Sequence, residues 1–330
     1  MLIVDAHLDL SYNALNGRDV LAPARQQQPA HQGIPSVGLP DLREGGVGLI
    51  CATIFCQPLG DKWPGYSTPA EAADMAWAQM RWYQQQFEAG QIKQVRSAAD
   101  LPAADSAREI HAIILMEGAD PILSPADLAR WRDAGVRMIG LAWGRTRYAG
   151  GTGAPGPLTA EGIELVREMD RIGMIHDASH LAEESFWQLL ERSSGPICAT
   201  HSNCRAFIPT DRQLSDEMIR AIVGRGGVIG INFYDRFLIG TDERSHRRAT
   251  LADVVRHIRH ICDLVGDAGH VGLGTDMDGG LGREQIPQEI ETSADLPKVA
   301  DALRQAGFSD GDIAGILGGN WLRFFRSHLG

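Results

Sequence analysis

Six side chains of this sequence carry most of its chemical information: His7, Asp9, Glu117, His180, His201 and Asp276. The first two stand in Val4-Asp5-Ala6-His7-Leu8-Asp9, where the apolar residues Leu2, Ile3 and Val4 read as a short buried strand. Residues two apart leave a strand end on the same side, so an imidazole and a carboxylate point one way. That pair suits a divalent metal of the zinc type, which takes nitrogen from neutral His and oxygen from Asp. Alone, a His-x-Asp pair is better read as a capped strand end with a satisfied histidine. Its meaning depends on the elements that carry the other four.

Short apolar runs recur at Val47 to Phe55, Ala112 to Met116, Val136 to Ala142, Met174 to His176, Ile197 to Thr200, Val228 to Asn232 and Val271 to Gly274. Helical patterns separate them: Pro69 to Phe87, Ala126 to Ala134, Thr159 to Arg171 with Thr159 as N-cap, Ala182 to Glu191, Asp216 to Val223 and Leu251 to Val265. Counting from Leu2, eight strands alternate with helices, which indicates parallel βα units. A single (β/α)8 barrel of the TIM type over residues 1–330, with extra helices after Asp295, is the simplest architecture. A doubly wound open sheet would need a Gly-x-Gly-x-x-Gly turn after the first strand, and the sequence has none there. Residues 16–38, rich in Gln, Pro and Gly, read as a long loop, and 149–157 as a flexible Gly-rich loop at the site.

In such a barrel the functional face is the C-terminal rim. His7 and Asp9 follow the first strand, Glu117 the third, His180 the fifth, His201 the sixth and Asp276 the eighth. Each alone has a structural explanation, but six metal-compatible residues in register at one rim form a joint signal. Three carboxylates and three imidazoles exceed what one tetrahedral zinc needs. A pair of ions about 3.5–4 Å apart, bridged by one carboxylate, uses the whole set. Glu117 is the natural bridge, a hydroxide between the ions the nucleophile, and Asp276 the group that orients that water, takes its proton and passes it on.

Composition narrows the partners. The 330 residues are 44% hydrophobic and 22% charged, with a formal net charge of -11 from 31 Lys+Arg and 42 Asp+Glu. No long basic run appears, which disfavours nucleic-acid binding. No basic-then-apolar leader precedes Asp5 and no run approaches the ~20 apolar residues of a bilayer span, so a cytoplasmic protein off the membrane is expected. Five scattered cysteines (Cys51, Cys56, Cys198, Cys204, Cys262) read as reduced, buried thiols.

With these residues assembled, the chain resembles the renal (membrane) dipeptidase family of the amidohydrolase superfamily. The matching pieces are Asp5-Ala6-His7-Leu8-Asp9, Glu117-Gly118, residues 166–171 leading to Asp177-Ala178-Ser179-His180, His201-Ser202-Asn203, Asn232-Phe233-Tyr234, and 272–279 around Asp276. The resemblance implies two zinc ions per subunit: His7 and Asp9 on one, His180 and His201 on the other, Glu117 bridging and Asp276 as proton shuttle. It implies hydrolysis of dipeptides, including those ending in a D-amino acid, with β-lactams opened by some members, and a homodimer. Arg212 aligns with the family arginine for the substrate's terminal carboxylate, a good partner for a guanidinium fork; Trp143 and Tyr234 are the other expected substrate contacts. Trp143 is a departure, since the well-known dipeptidases carry a histidine there to polarise the scissile carbonyl, and an indole carries no positive charge. Two alternatives stay open: a hydrolase of another small amide or lactam, and an inactive metal-binding barrel.

Overall fold

The computed structural model describes residues 2–29, 33–60, 65–103 and 109–330. Its strands are β1 (Ile3–Leu8), β2 (Val47–Phe55), β3 (Lys93–Val95), β4 (His111–Glu117), β5 (Val136–Gly140), β6 (Ile175–Asp177), β7 (Ile197–Cys198), β8 (Ile229–Ile231) and β9 (Val271–Leu273). Eight of them pair in parallel in the order β7-β6-β5-β4-β2-β1-β9-β8. Between β7 and β8 the ring closes: Ala199 N donates to Val228 O at 3.0 Å and Gly230 N to Ala199 O at 2.8 Å. The expected eight-stranded barrel is therefore present, and β3, absent from the sequence reading, pairs with β4 outside the ring.

Alternation along the strands explains how one fold holds both a core and a polar rim. Leu49 and Cys51, Ile113 and Leu115, Met138, Ile175, Cys198 and Val228 pack together with Val4 and Ala6 in the barrel interior. One step further along the same faces the residues become Thr53, Glu117, Asp177 and Thr200, and two steps past Val228 stands Asn232. In β1 the register shifts between Asp5 and Leu8. Val4 and Ala6 belong to the interior cluster while Leu8 packs in the outer one, so His7 takes the inward position that strict alternation would give to Leu8. The strand also runs four residues past Val4, because Asp5 and His7 are buried polar residues that hide it from a hydrophobicity pattern.

Helices α1 (Leu10–Leu15), α2 (Leu39–Glu44), α3 (Pro69–Glu88), α4 (Leu128–Ala134), α5 (Ala160–Ile172), α6 (Glu183–Arg192), α7 (Asp216–Gly224), α8 (Asp235–Leu238), α9 (Gly240–Arg244), α10 (Leu251–Val265), α11 (Lys298–Gln305), α12 (Asp310–Ala314) and α13 (Asn320–His328) surround the ring. Thr159 caps α5 as expected, accepting from Gly162 N at 3.0 Å. At the barrel's N-terminal end Trp321 of α13 plugs the interior, its indole donating to Leu273 O at 3.0 Å. Gly272 makes room for it, since a Cβ there would lie 2.3 Å from the indole nitrogen.

The long loop at 16–38 is not a loose insertion. Arg18 pairs with Asp278 at 2.9 Å, and Ser36 N, Ser36 Oγ and Val37 N all donate to the same carboxylate. Residues 30–32 of that loop lie outside the described residues.

Candidate metal centre

The register of the barrel brings all six rim residues to one buried point. Glu117 ends β4 at its centre. One carboxylate oxygen, Oε2, lies 3.4 Å from His7 Nε2. The other, Oε1, lies 3.2 Å from His180 Nε2 and 3.4 Å from His201 Nε2. His7 Nε2 is also 3.8 Å from Asp9 Oδ2 and 3.9 Å from Asp276 Oδ1. Among the described residues, two groups of donor atoms are close enough to hold a cation, His7 with Glu117 and His201, and His7 with Asp9 and Asp276.

A further layer fixes these side chains, and the sequence reading found little of it. Asp177 accepts from Thr200 N at 2.9 Å and from Thr200 Oγ1 at 2.5 Å. Thr200 Oγ1 in turn lies 2.9 Å from His201 Nδ1, so Asp177 orients His201 through Thr200. Thr152, in the Gly-rich loop, stands 3.0 Å from His180 Nδ1. Thr53 donates to Asp9 Oδ1, and Asn232 Nδ2 to Asp276 Oδ2 at 2.9 Å. Asn13 donates to both Asp9 O and Asp278 O at 3.0 Å, stapling the exit of β1 to the turn after β9. Threonines and asparagines are common everywhere, and only the inward phase of Thr53, Thr200 and Asn232 marks them out. His176 is engaged elsewhere, 2.7 Å from Asp170, and Cys204 Sγ faces His257 O rather than the centre.

The backbone is strained here. Among the described residues, the non-glycine positions with positive φ are His180 (64°), Asp276 (59°) and Asp278 (64°). Such conformations cost on the order of 1–3 kcal/mol each and persist where the surroundings over-determine them. Gly279 completes the arrangement: a Cβ there would sit 1.9 Å from Asp276 Oδ1 and 2.9 Å from Asp9 Oδ2.

Electrostatics divide the site. Burial pushes Asp276 up to about 8, with Asp9 and Glu117 adding repulsion, and pushes Asp9 up to about 6, with Glu117 again opposing ionisation. Burial pulls His180 down to about 4 and holds His201 well below the usual imidazole value, with Arg212 and His7 contributing. His7 goes the other way: burial would lower it, but Glu117, Asp9 and Asp276 outweigh that and raise it to about 10. Crowded carboxylates beside two neutral imidazoles, with a proton drawn onto the third, are a donor set in which a cation can take the proton's place.

Above the centre lies a cavity of about 350 Å³. Asp9, Glu117, His180 and Asp276 form its floor, and the three expected substrate contacts, Arg212, Trp143 and Tyr234, all line it. Arg212 is buried, donating to Ser202 Oγ at 2.9 Å and His201 O at 2.6 Å, while its Nε has no hydrogen-bond partner. Tyr12, Phe55, Gln57 and Phe237 also face the cavity and were not anticipated.

Known proteins share this assembly. The family model described as membrane dipeptidase (peptidase family M19) matches residues 1–328. An uncharacterized protein from the pqqA 5′ region of Klebsiella pneumoniae is 34% identical over 273 residues, 79% of this chain and 98% of that protein. An uncharacterized dipeptidase of Schizosaccharomyces pombe is 32% identical over 224 residues, 66% of this chain and 53% of the yeast protein. The solved structure of a metallo peptidase from Rhodobacter sphaeroides, liganded with a phosphinate mimic of the dipeptide L-Ala-D-Ala, has a TM-score of 0.84 at 26% identity and covers 100% of this chain and 99% of its own. Barrel, rim residues and likeness agree, and the chain belongs to the membrane dipeptidase family, peptidase family M19, a family of metal-dependent dipeptidases.

Proposed function

We propose that this dipeptidase is a dinuclear zinc enzyme that cleaves the peptide bond of dipeptides, including those with a D-amino acid at the C-terminal position. The observation that carries this is the division of the Glu117 carboxylate, one oxygen toward His7 and the other toward His180 and His201. His7 and Asp9 would hold one ion, His180 and His201 the second, with Glu117 between them. The residues fit such ions: His180 and His201 are held neutral, as ligands must be, and His7 Nε2 is fully buried without a hydrogen-bond partner, where a cation would displace the proton that Glu117, Asp9 and Asp276 draw onto it. When bound, the ions would supply a water activated near neutral pH and an electrophile for the scissile carbonyl.

The chain's own groups account for the rest. Asn232 holds one oxygen of Asp276 and leaves the other directed toward the His7 side of the centre. Asp276 takes the proton of the attacking water and returns it to the departing amine. Arg212, which lines the cavity, anchors the substrate's terminal carboxylate by the charge and hydrogen-bonding capacity of its guanidinium. A second reading, a small amide or lactam that is not a dipeptide, rests on Trp143, whose uncharged indole stands at the rim where the well-known members use a histidine.

The test is a panel of L-Xaa-L-Xaa and L-Xaa-D-Xaa dipeptides given to the zinc-loaded wild type and to Asp276→Asn. Wild-type turnover with a kcat roughly 10²–10⁴-fold lower in the variant, at unchanged zinc content, is expected. Equal rates in the two would remove Asp276 from the mechanism. A silent wild-type panel with N-acyl amino acids turned over would favour the second reading.

A further inference from the structure

Opposite Arg212 the cavity has a different character. In the eight-stranded ring, β2 stands four strands from β7, directly across the mouth. Arg212 comes from the segment after β7, whereas Phe55 ends β2 and Gln57 follows it. Phe55 sits in a row of rings. Tyr12 meets it edge-on at a centroid distance of 5.3 Å, and Trp143 meets its other side at 5.4 Å. Trp143 reaches on to His180 at 6.0 Å, so the row runs from α1 to the metal ligands. Tyr12 is held by its hydroxyl, which donates to Gln57 Oε1 at 2.7 Å. The wall is fixed at its base and open at its rim, where Trp143 is 40% exposed.

Charge orients a dipeptide between these walls. Arg212 is the sole Lys or Arg among the described residues lining the cavity. The substrate carboxylate goes to it, and the scissile bond then lies over Glu117, His180 and Asp276. The first residue is left to extend toward β2. Its side chain then has Tyr12, Phe55 and Trp143 for neighbours.

We infer that Tyr12, Phe55 and Trp143 form the pocket for the N-terminal side chain of the dipeptide, and that the enzyme selects substrates whose first residue is large and apolar or aromatic. This rests on the dipeptidase reading above and adds a substrate class to it. Aromatic faces bind apolar and ring side chains by dispersion and edge contacts. Nothing on this wall neutralises an acidic side chain, so its desolvation among the rings goes uncompensated. Aspartyl dipeptides are therefore the poorest substrates expected.

The experiment compares kcat/KM for Gly-Ala, Leu-Ala, Phe-Ala and Asp-Ala, with L first residues and the alanine in whichever configuration is turned over, in the zinc-loaded wild type, Trp143→Ala and Phe55→Leu. The wild type is expected to favour Leu-Ala or Phe-Ala over Gly-Ala by roughly 10- to 200-fold. In Trp143→Ala that ratio should shrink about tenfold or more, mainly through KM. Phe55→Leu, which keeps an apolar side chain at a buried position, should lower Phe-Ala more than Leu-Ala. A structural role alone would lower all substrates together and leave the ratios intact, which would overturn the pocket. A wild type that hydrolyses Gly-Ala as well as Leu-Ala and Phe-Ala overturns it too while sparing the dipeptidase reading, and no turnover of any dipeptide would overturn both.

Discussion

Glu117 is the residue on which the centre turns, because its two oxygens serve different neighbours. In the folded chain its carboxyl is held well below the usual range: burial opposes ionisation, but the charge on His7 and the His180 and His201 imidazoles beside it outweigh that. Glu117→Gln keeps the shape and removes the charge. It should cost at least one zinc per chain after dialysis and lower activity by on the order of 10²-fold or more, since loss of a central ligand exceeds the 10–100-fold typical of residues one shell out. Metal content by mass spectrometry checks this. Retention of two zinc ions with unchanged affinity would end the bridging role.

At the scale of elements, the turn that carries Asp276 is held by segments far away in sequence. Asp278 sits two residues beyond Asp276, in a left-handed conformation, and receives Arg18, Ser36 and Val37 from the segment between β1 and α2. Both members of the Arg18–Asp278 pair are buried. Removing one partner of a buried pair leaves an uncompensated charge and costs about 3–5 kcal/mol. Arg18→Met should show a loss of that size in denaturant unfolding, and Arg18→Met with Asp278→Asn should lose less than the sum of the single changes. Additive losses below about 1 kcal/mol would show that the pair does not anchor the turn.

For the molecule as a whole, acid sensitivity follows from histidines buried neutral. His257 in α10 joins two rim segments: Cys204 N donates to its Nδ1 and its Nε2 donates to Leu238 O, both at 3.1 Å. Its ring is fully buried, and burial, with Arg256 and His260 nearby, lowers it to about 4 from the ordinary 6.5. The unfolded imidazole therefore takes up a proton at a pH where the folded one still refuses it. The associated stability is complete above 6.5 and is lost as pH falls toward 4, by roughly 3 kcal/mol at full extent. His257→Gln can make both hydrogen bonds without titrating. Its unfolding midpoint should fall less steeply than the wild type's between pH about 7 and about 5; parallel curves would exclude His257 as a source.

The sequence by itself determined the alternation of strands and helices, the barrel and the six polar residues at its rim, because strand and helix periods are set by neighbours two to four positions apart. Tertiary structure alone decided the rest. The extension of β1 to Leu8 and the inward turn of His7 depend on a register shift against β2. The split of Glu117 between His7 and the His180–His201 pair depends on ring closure, which brings the His7 and His201 rings to 3.6 Å. Thr152, Thr200, Asn13 and Asn232 are ordinary polar residues until the closed barrel brings each against its partner. Arg18 and Asp278, like the aromatic row across from Arg212, meet only because the rim gathers segments from both ends of the chain, and contacts of that range leave no local period to read.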